Sequence, residues 1–326
     1  MAENWERDVH EQRQIPCSRD YVMRRTGYPH VARRISTPKA IQASTPKLST
    51  NHPTNTTTKH QPNPTTAMST IAFFGATGDS AGHCLAQTLT SGINCRALAR
   101  NPSKLTASLL AKSVPSSTLD RHLTIIRGDA KDLETVKRVL RTDDEKATVV
   151  DKLVSGIGGT QLVFTWNPFR PFTLSDPKIC QEAGATLLRA LQELRPATKP
   201  MLINISTTGI PPKGMPRDVP WPYVVLYPWL GHVMHEDKRE LQGRLAEHMT
   251  VLPGGERGIR GYVNVKPSIL MSGEAKGMQA VRQGVDEKPE VGYWINRVDV
   301  GGWIAENLVK SDGKAEWRNK SVTLTY

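Results

Sequence analysis

Cysteine is scarce: Cys17, Cys84, Cys95 and Cys180 are the four in 326 residues, and no two form a C-x-x-C pair. That argues against a disulfide framework and a thiolate zinc site, and no metal is expected. No apolar run approaches the ~18 residues needed to cross a bilayer, and no secretory apolar region is present, so the expectation is a cytoplasmic protein without membrane association. Acidic residues are missing from positions 23–59, where seven basic residues stand alone. An organelle-targeting reading of that stretch is opposed by Glu3, Glu6, Asp8, Glu11 and Asp20 just upstream. Aromatic residues make up only 6% of the chain and do not interleave with these cations, so charge alone favours nucleic acid, and that partner ranks last.

Aliphatic residues are also rare in residues 1–67, which are rich in Thr, Ser, Pro and Asn and carry +5 of the formal charge of +12. Such a segment cannot bury enough apolar surface to offset its ordering entropy. We expect a disordered basic tail over 1–67 and a folded domain over 68–326. The alternative is that the natural start is Met68 and the upstream residues are a gene-model extension.

At the start of that domain, an apolar run ends in Gly75-Ala76-Thr77-Gly78-Asp79-Ser80-Ala81-Gly82. Phosphate oxygens need close backbone N–H donors, and Gly75 and Gly78 clear the space for them. A helix beginning near Asp79 or Ser80 would aim its positive end at an anion. Gly82, one turn in, allows close packing on a neighbouring strand, while Ala81 occupies the place where a third glycine is commoner. An ordinary strand-to-helix turn fits the same residues.

The following pattern decides between them. A helix over 79–91 and a strand over 95–99 lead to Arg100, with Lys104 a turn later. A cation at that strand end suits a 2′-phosphate, where an acidic residue would suit a 2′-hydroxyl; a merely solvated Arg100 is the alternative. A third strand, 122–127, runs into Asp129, which could meet an adenine amino group or cap the next helix, although Asp132 is better placed for that cap. A fourth strand at 151–155 opens into Gly156-Ile157-Gly158-Gly159, a helix covers about 176–194, and a fifth strand at 201–206 ends in Ser206-Thr207-Thr208-Gly209. This alternation predicts an α/β fold with a doubly wound parallel sheet of Rossmann type. Residues 210–229 read as a long loop rich in Pro and aromatics. Beyond it come a sixth strand at 262–266, a seventh at 291–296, a helix over 298–310 and a last strand at 321–326, with 268–290 as a small substrate-side cap.

Gly75-Ala76-Thr77-Gly78, the strand end Ala97-Leu98-Ala99-Arg100-Asn101-Pro102, Ile205-Ser206-Thr207-Thr208-Gly209, His235-Glu236-Asp237-Lys238 and Lys266-Pro267-Ser268-Ile269-Leu270 occur in an order that resembles the NmrA-like, atypical short-chain dehydrogenase/reductase group. The resemblance covers about residues 69–326. It implies NADP(H) held by Gly75, Thr77, Gly78, Asp79, Ser80, Gly82 and Arg100, with Ser268 and Ile269 near the nicotinamide and Lys238 near its ribose. Asp129 completes the expected cofactor set.

The wider superfamily pairs a Tyr with a Lys four residues later on one helix, about 6 Å apart. Here Tyr227 is followed at that spacing by Gly231, and Tyr223 by Tyr227. Tyr262 and Lys266 have the spacing but fall on a strand, about 13 Å apart, and are set aside. Lys238, Ser206 and Tyr227 are taken as the catalytic candidates, with Thr207 and Tyr223 as other sources of a proton. His232 and His235 lie three apart beside Glu236 and Asp237, but no motif supplies a third ligand. The leading expectation is an NADP(H)-dependent oxidoreductase acting on a small apolar or aromatic carbonyl or enoyl substrate. The alternative is a non-catalytic NADP(H) sensor that binds a protein partner, favoured by the missing Tyr-x-x-x-Lys.

Overall fold

The computed structural model describes residues 69–143, 148–159, 162–167 and 171–326. The tail assigned to 1–67 and the start at Met68 lie outside the described residues. Among them, eight strands form the central sheet: β1 Thr70–Phe74, β2 Asn94–Ala99, β3 Leu123–Arg127, β4 Lys152–Ser155, β5 Met201–Ile205, β6 Gly261–Pro267, β7 Arg282–Val285 and β8 Lys320–Thr325. Their order is β7-β8-β6-β5-β4-β1-β2-β3, all parallel except β7, which runs antiparallel to β8. The order reverses between β1 and β4, the crevice where such sheets bind ligands.

Both faces of β1 are buried, which is why its sequence is apolar throughout rather than alternating. Ile71 and Phe73 join a core under α1 (Asp79–Thr90) and α8 (Arg297–Ile304); Ala72 and Phe74 join a second core under α4 (Leu133–Leu140), α5 (Ile179–Leu194) and α7 (His232–Thr250). Each fully buried Phe contributes about 1.5–3 kcal/mol to holding these layers together.

The doubly wound parallel sheet is present as expected, and several details differ. Helices α2 (Pro102–Ala111) and α3 (Ser116–His122) fill the stretch between β2 and β3; Asn101 caps α2 by accepting the Lys104 N–H at 3.1 Å, with Pro102 in the first turn. A hairpin pairs Leu162–Phe164 with Phe172–Leu174 ahead of α5. The expected loop over 210–229 is half helix: α6 spans Trp221–Leu230. Its prolines are the reason for the misreading, because Pro220 and Pro222 sit at a helix start, where an N–H has no helical partner to lose.

The seventh strand is shorter than expected. Trp294–Asn296 pairs in parallel with Ile269–Met271 in a separate two-stranded sheet. The stretch 268–290 is only partly a cap, since Arg282–Val285 is β7. After α8 the chain widens into a π-turn over Ala305–Val309. The buried Lys152 ammonium collects the carbonyls of Leu308, Val309 and Ser311 at 2.6–3.0 Å, satisfying acceptors that a helix end leaves open.

Candidate functional site

At the C-terminal ends of β1, β4, β5 and β6 lies a cavity of about 830 Å³. Its first wall is the turn after β1 and the start of α1. Gly75 has φ +72°, a left-handed conformation that costs an L side chain strain, and a Cβ there would lie 2.8 Å from the Gly156 backbone. The alanine in place of a third glycine is accommodated from the other side: its methyl packs so closely on Gly156 that a Cβ on Gly156 would lie 2.6 Å from it. Gly82 packs on Ala76, whose carbonyl would be 2.9 Å from an added Cβ.

These contacts leave the first turn of α1 open to the cavity. Gly78 at its N-cap offers no side-chain acceptor, and the Ser80 hydroxyl, 7% exposed, has no hydrogen-bond partner among the described residues. A buried orphan hydroxyl at a helix N-terminus, beside glycines that admit a close ligand, fits an anionic group such as a dinucleotide diphosphate. Asp79 opposes an anion there, and Lys112 lies 3.5 Å from its carboxylate.

The opposite wall comes from β5, α6 and α7. Lys238 Nζ donates to the Ile205 carbonyl at 2.9 Å, which fixes the ammonium at the end of β5. Ser206 Oγ accepts from Gln242 Nε2 at 2.6 Å. Tyr227 stacks between Tyr223 (centroids 5.1 Å) and His235 (4.8 Å). Gly209, at φ +87°, makes room for it, because a Cβ there would meet the Tyr227 ring at 2.4 Å. Burial pushes the Tyr227 phenol above its ordinary value, against the opposing hydrogen bond from Thr208. Burial, aided by Arg239 and Lys238, holds the His235 imidazole down at about 4, so it is neutral near pH 7.

A stability prediction follows from His235. Its folded value lies below the unfolded value of 6.5, so the protein gains from a neutral His235 above pH 6.5 and loses that contribution as pH falls through about 4. The loss should be on the order of 3 kcal/mol. Half-buried His83 and buried His248 shift in the same direction. Thermal denaturation at neutral pH and near pH 4 should show a smaller acid loss in His235→Gln than in the wild type; equal losses would contradict this account.

Of the residues singled out from the sequence, Thr77, Gly78, Asp79, Ser80, Ser206, Tyr227, Lys238, Ser268 and Ile269 line this one cavity. Gly75 and Gly82 stand behind its wall. Arg100 follows the last residue of β2 and is exposed; Asp129 lies after β3, its carboxylate accepting the Lys131 N–H, while Asp132 caps α4. Both therefore sit at strand ends on the same edge of the sheet, outside the cavity. Tyr223 touches Tyr227 but does not line it. Lys266, excluded as a catalytic partner of Tyr262, is fully buried against Asp218, 2.7 Å away. His232 and His235 do not converge on a metal, and no three His, Cys, Asp or Glu residues do among the described residues. Asp237, beside them, caps α5 by accepting the N–H groups of Cys180 and Gln181. The cavity residues the sequence reading passed over are Arg297 and the apolar Phe172, Leu226 and Met234.

No protein-family model matches the chain. The reductase pytE of Aspergillus terreus is 42% identical over 268 residues, covering 80% of this chain and all of that protein. The oxidase pynE of Aspergillus niger is 36% identical over 285 residues, covering 78% of this chain and 98% of that one. Among solved structures, the anaerobillin reductase ChuY of Escherichia coli O157:H7 is 16% identical, with a TM-score of 0.51 over 78% of this chain and 96% of its own. The oxidoreductase ylbE of Lactococcus lactis is 17% identical, with a TM-score of 0.52 over 78% and 90%. These structures share the Rossmann-type fold. At the identities found with the two Aspergillus proteins over nearly their whole length, the chain belongs to the same oxidoreductase family as pytE and pynE.

Proposed function

We propose that this protein is an NADP(H)-dependent reductase, similar to the NmrA-like, atypical short-chain dehydrogenases/reductases, acting on a small apolar or aromatic carbonyl or enoyl compound. The observation that carries the reading is that one cavity joins the open N-terminus of α1 to Tyr227, His235 and Lys238. NADP(H), when bound, supplies or accepts the hydride. The chain's part is to hold it and to shape the remaining space. Thr77, Gly78 and Ser80 present donors for the diphosphate, with Gly75 and Gly82 keeping that turn close to the sheet. Asp129 faces the adenosine end, and Arg100 there selects the 2′-phosphate, which matches a guanidinium in shape and charge. Lys238, held by Ile205, orients the nicotinamide ribose, and Ser268 and Ile269 pack near the ring. Phe172, Leu226, Met234 and Leu270 leave an apolar space for the substrate.

Tyr227 has Gly231 rather than Lys at the fourth following position. That departure also suits a sensor that binds NADP(H) without chemistry and signals to a protein partner. Tryptophan-fluorescence titration separates the possibilities in two steps. NADPH should bind more tightly than NADH, and Arg100→Ala should weaken NADPH about tenfold more than NADH; equal affinities in the wild type would remove the NADP assignment. Oxidation of NADPH by any member of a panel of quinones, ketones and enones, lost in Lys238→Ala, supports the enzyme. Tight binding with no turnover on any acceptor supports the sensor.

A further inference from the structure

Arg297 is the first residue of α8, and it lines the cavity together with the first turn of α1. The two helices lie side by side because α8 carries Gly301 at their contact: a Cβ there would meet the Ser80 carbonyl oxygen at 2.7 Å and the Cys84 nitrogen at 2.8 Å. The next residue, Gly302, lies against Gln87, further along α1. The helices therefore advance together, and their first turns open on the same space. Asn296, at the N-cap of α8, makes no side-chain cap, so the peptide N–H groups of this end are uncapped as they are in α1.

The guanidinium makes one hydrogen bond, from Nη1 to Ser272 Oγ at 3.0 Å, and has no carboxylate partner among the described residues. Asp299, in the first turn of α8, is occupied by the N–H groups of Lys276 and Gly277 and by the Tyr326 hydroxyl. The other charged groups of the cavity are Asp79, beside Lys112, and Lys238, committed in part to Ile205. An arginine without a carboxylate, at one of two adjacent helix N-termini and lining the same cavity as the buried Ser80 hydroxyl, which has no partner among the described residues, is an arrangement for a polyanion.

We propose that Arg297 is a diphosphate-binding residue: its guanidinium and the Ser80 hydroxyl hold the dinucleotide diphosphate from adjacent helices. This rests on the dinucleotide reading above and extends it to a residue far from the glycine turn in sequence. Because the diphosphate is common to both nicotinamide dinucleotides, Arg297 differs in effect from Arg100, which acts on one of them only.

The test is isothermal titration calorimetry with NADPH, NADH and adenosine 2′-phosphate, which lacks the diphosphate. Arg297→Gln should weaken NADPH and NADH by the same factor, about tenfold or more, and leave adenosine 2′-phosphate within about twofold. Arg297→Lys, which keeps the charge but not the planar fork, should fall between. A nucleotide-free Tm matching the wild type shows that each variant is folded. If the wild type binds both dinucleotides and Arg297→Gln binds them as tightly, this proposal fails while the dinucleotide reading stands; the guanidinium then faces an acidic substrate instead. If the wild type binds neither, the dinucleotide reading itself fails.

Discussion

Lys266→Met is expected to destabilise the protein by about 3–5 kcal/mol, the usual cost of leaving one partner of a buried ion pair uncompensated. Lys266 is 1% exposed and Asp218 2%, with 2.7 Å between Nζ and Oδ2. Without the ammonium, the Asp218 carboxylate keeps, among the described residues, the hydrogen bond it accepts from the Gly209 N–H at 2.9 Å. Lys266 also donates to the Ile210 carbonyl at 2.9 Å, so the same substitution frees the start of the segment leading into α6. For a domain of this size the Tm should fall by roughly 10 °C. The double variant Lys266→Met/Asp218→Asn should recover much of that loss, because no uncompensated charge is then left at this site. A single variant as stable as the wild type would mean that the pair is solvated. The functional consequence lies in α6, which carries Tyr227: the ion pair fastens its approach to the end of β6, and therefore to the cavity.

That fastening illustrates what a linear reading can and cannot reach. The glycine turn, the strand pattern and the parallel sheet were legible because each depends on local backbone demands: a left-handed Gly75, an apolar β1 buried on both faces, and an Asp132 cap at α4. Placing Ser206 and Ser268 at strand ends, Tyr227 in the aromatic loop and Lys238 on the helix after it was enough to bring them to one cavity, because in this topology the segments that follow the strands gather at one edge of the sheet. Prolines misled the reading at α6, since the same residue marks both a loop and a helix start. Arg297 was invisible for a different reason. Its relation to Ser80 depends on the close approach of α8 to α1 at Gly301, a long-range contact with no signature near Arg297 itself. Lys266 was correctly separated from Tyr262 by strand geometry, but its partner Asp218 lay in the segment read as a long loop, with no pattern to pair it.

Tyr227→Phe is expected to lower kcat for carbonyl reduction about 100-fold while leaving NADPH affinity within about twofold. Reduction of a carbonyl needs a hydride at carbon and a proton, or a strong hydrogen bond, at oxygen. In the usual Tyr-Lys arrangement the ammonium lowers the phenol. Here burial dominates and raises it, and no lysine is among the groups that shift it. The phenol therefore stays protonated across the physiological range and remains a donor as charge develops on the substrate oxygen. His235, held at about 4, is neutral over the same range and is too weak a base to serve the reverse reaction. The pH profile of kcat/KM with NADPH and a reactive carbonyl should be flat from about pH 6 to 9, because neither group titrates in that interval. An inflection near neutrality that persists in His235→Gln would assign the proton to another group, and an unchanged kcat in Tyr227→Phe would reduce the phenol to a packing surface between Tyr223 and His235.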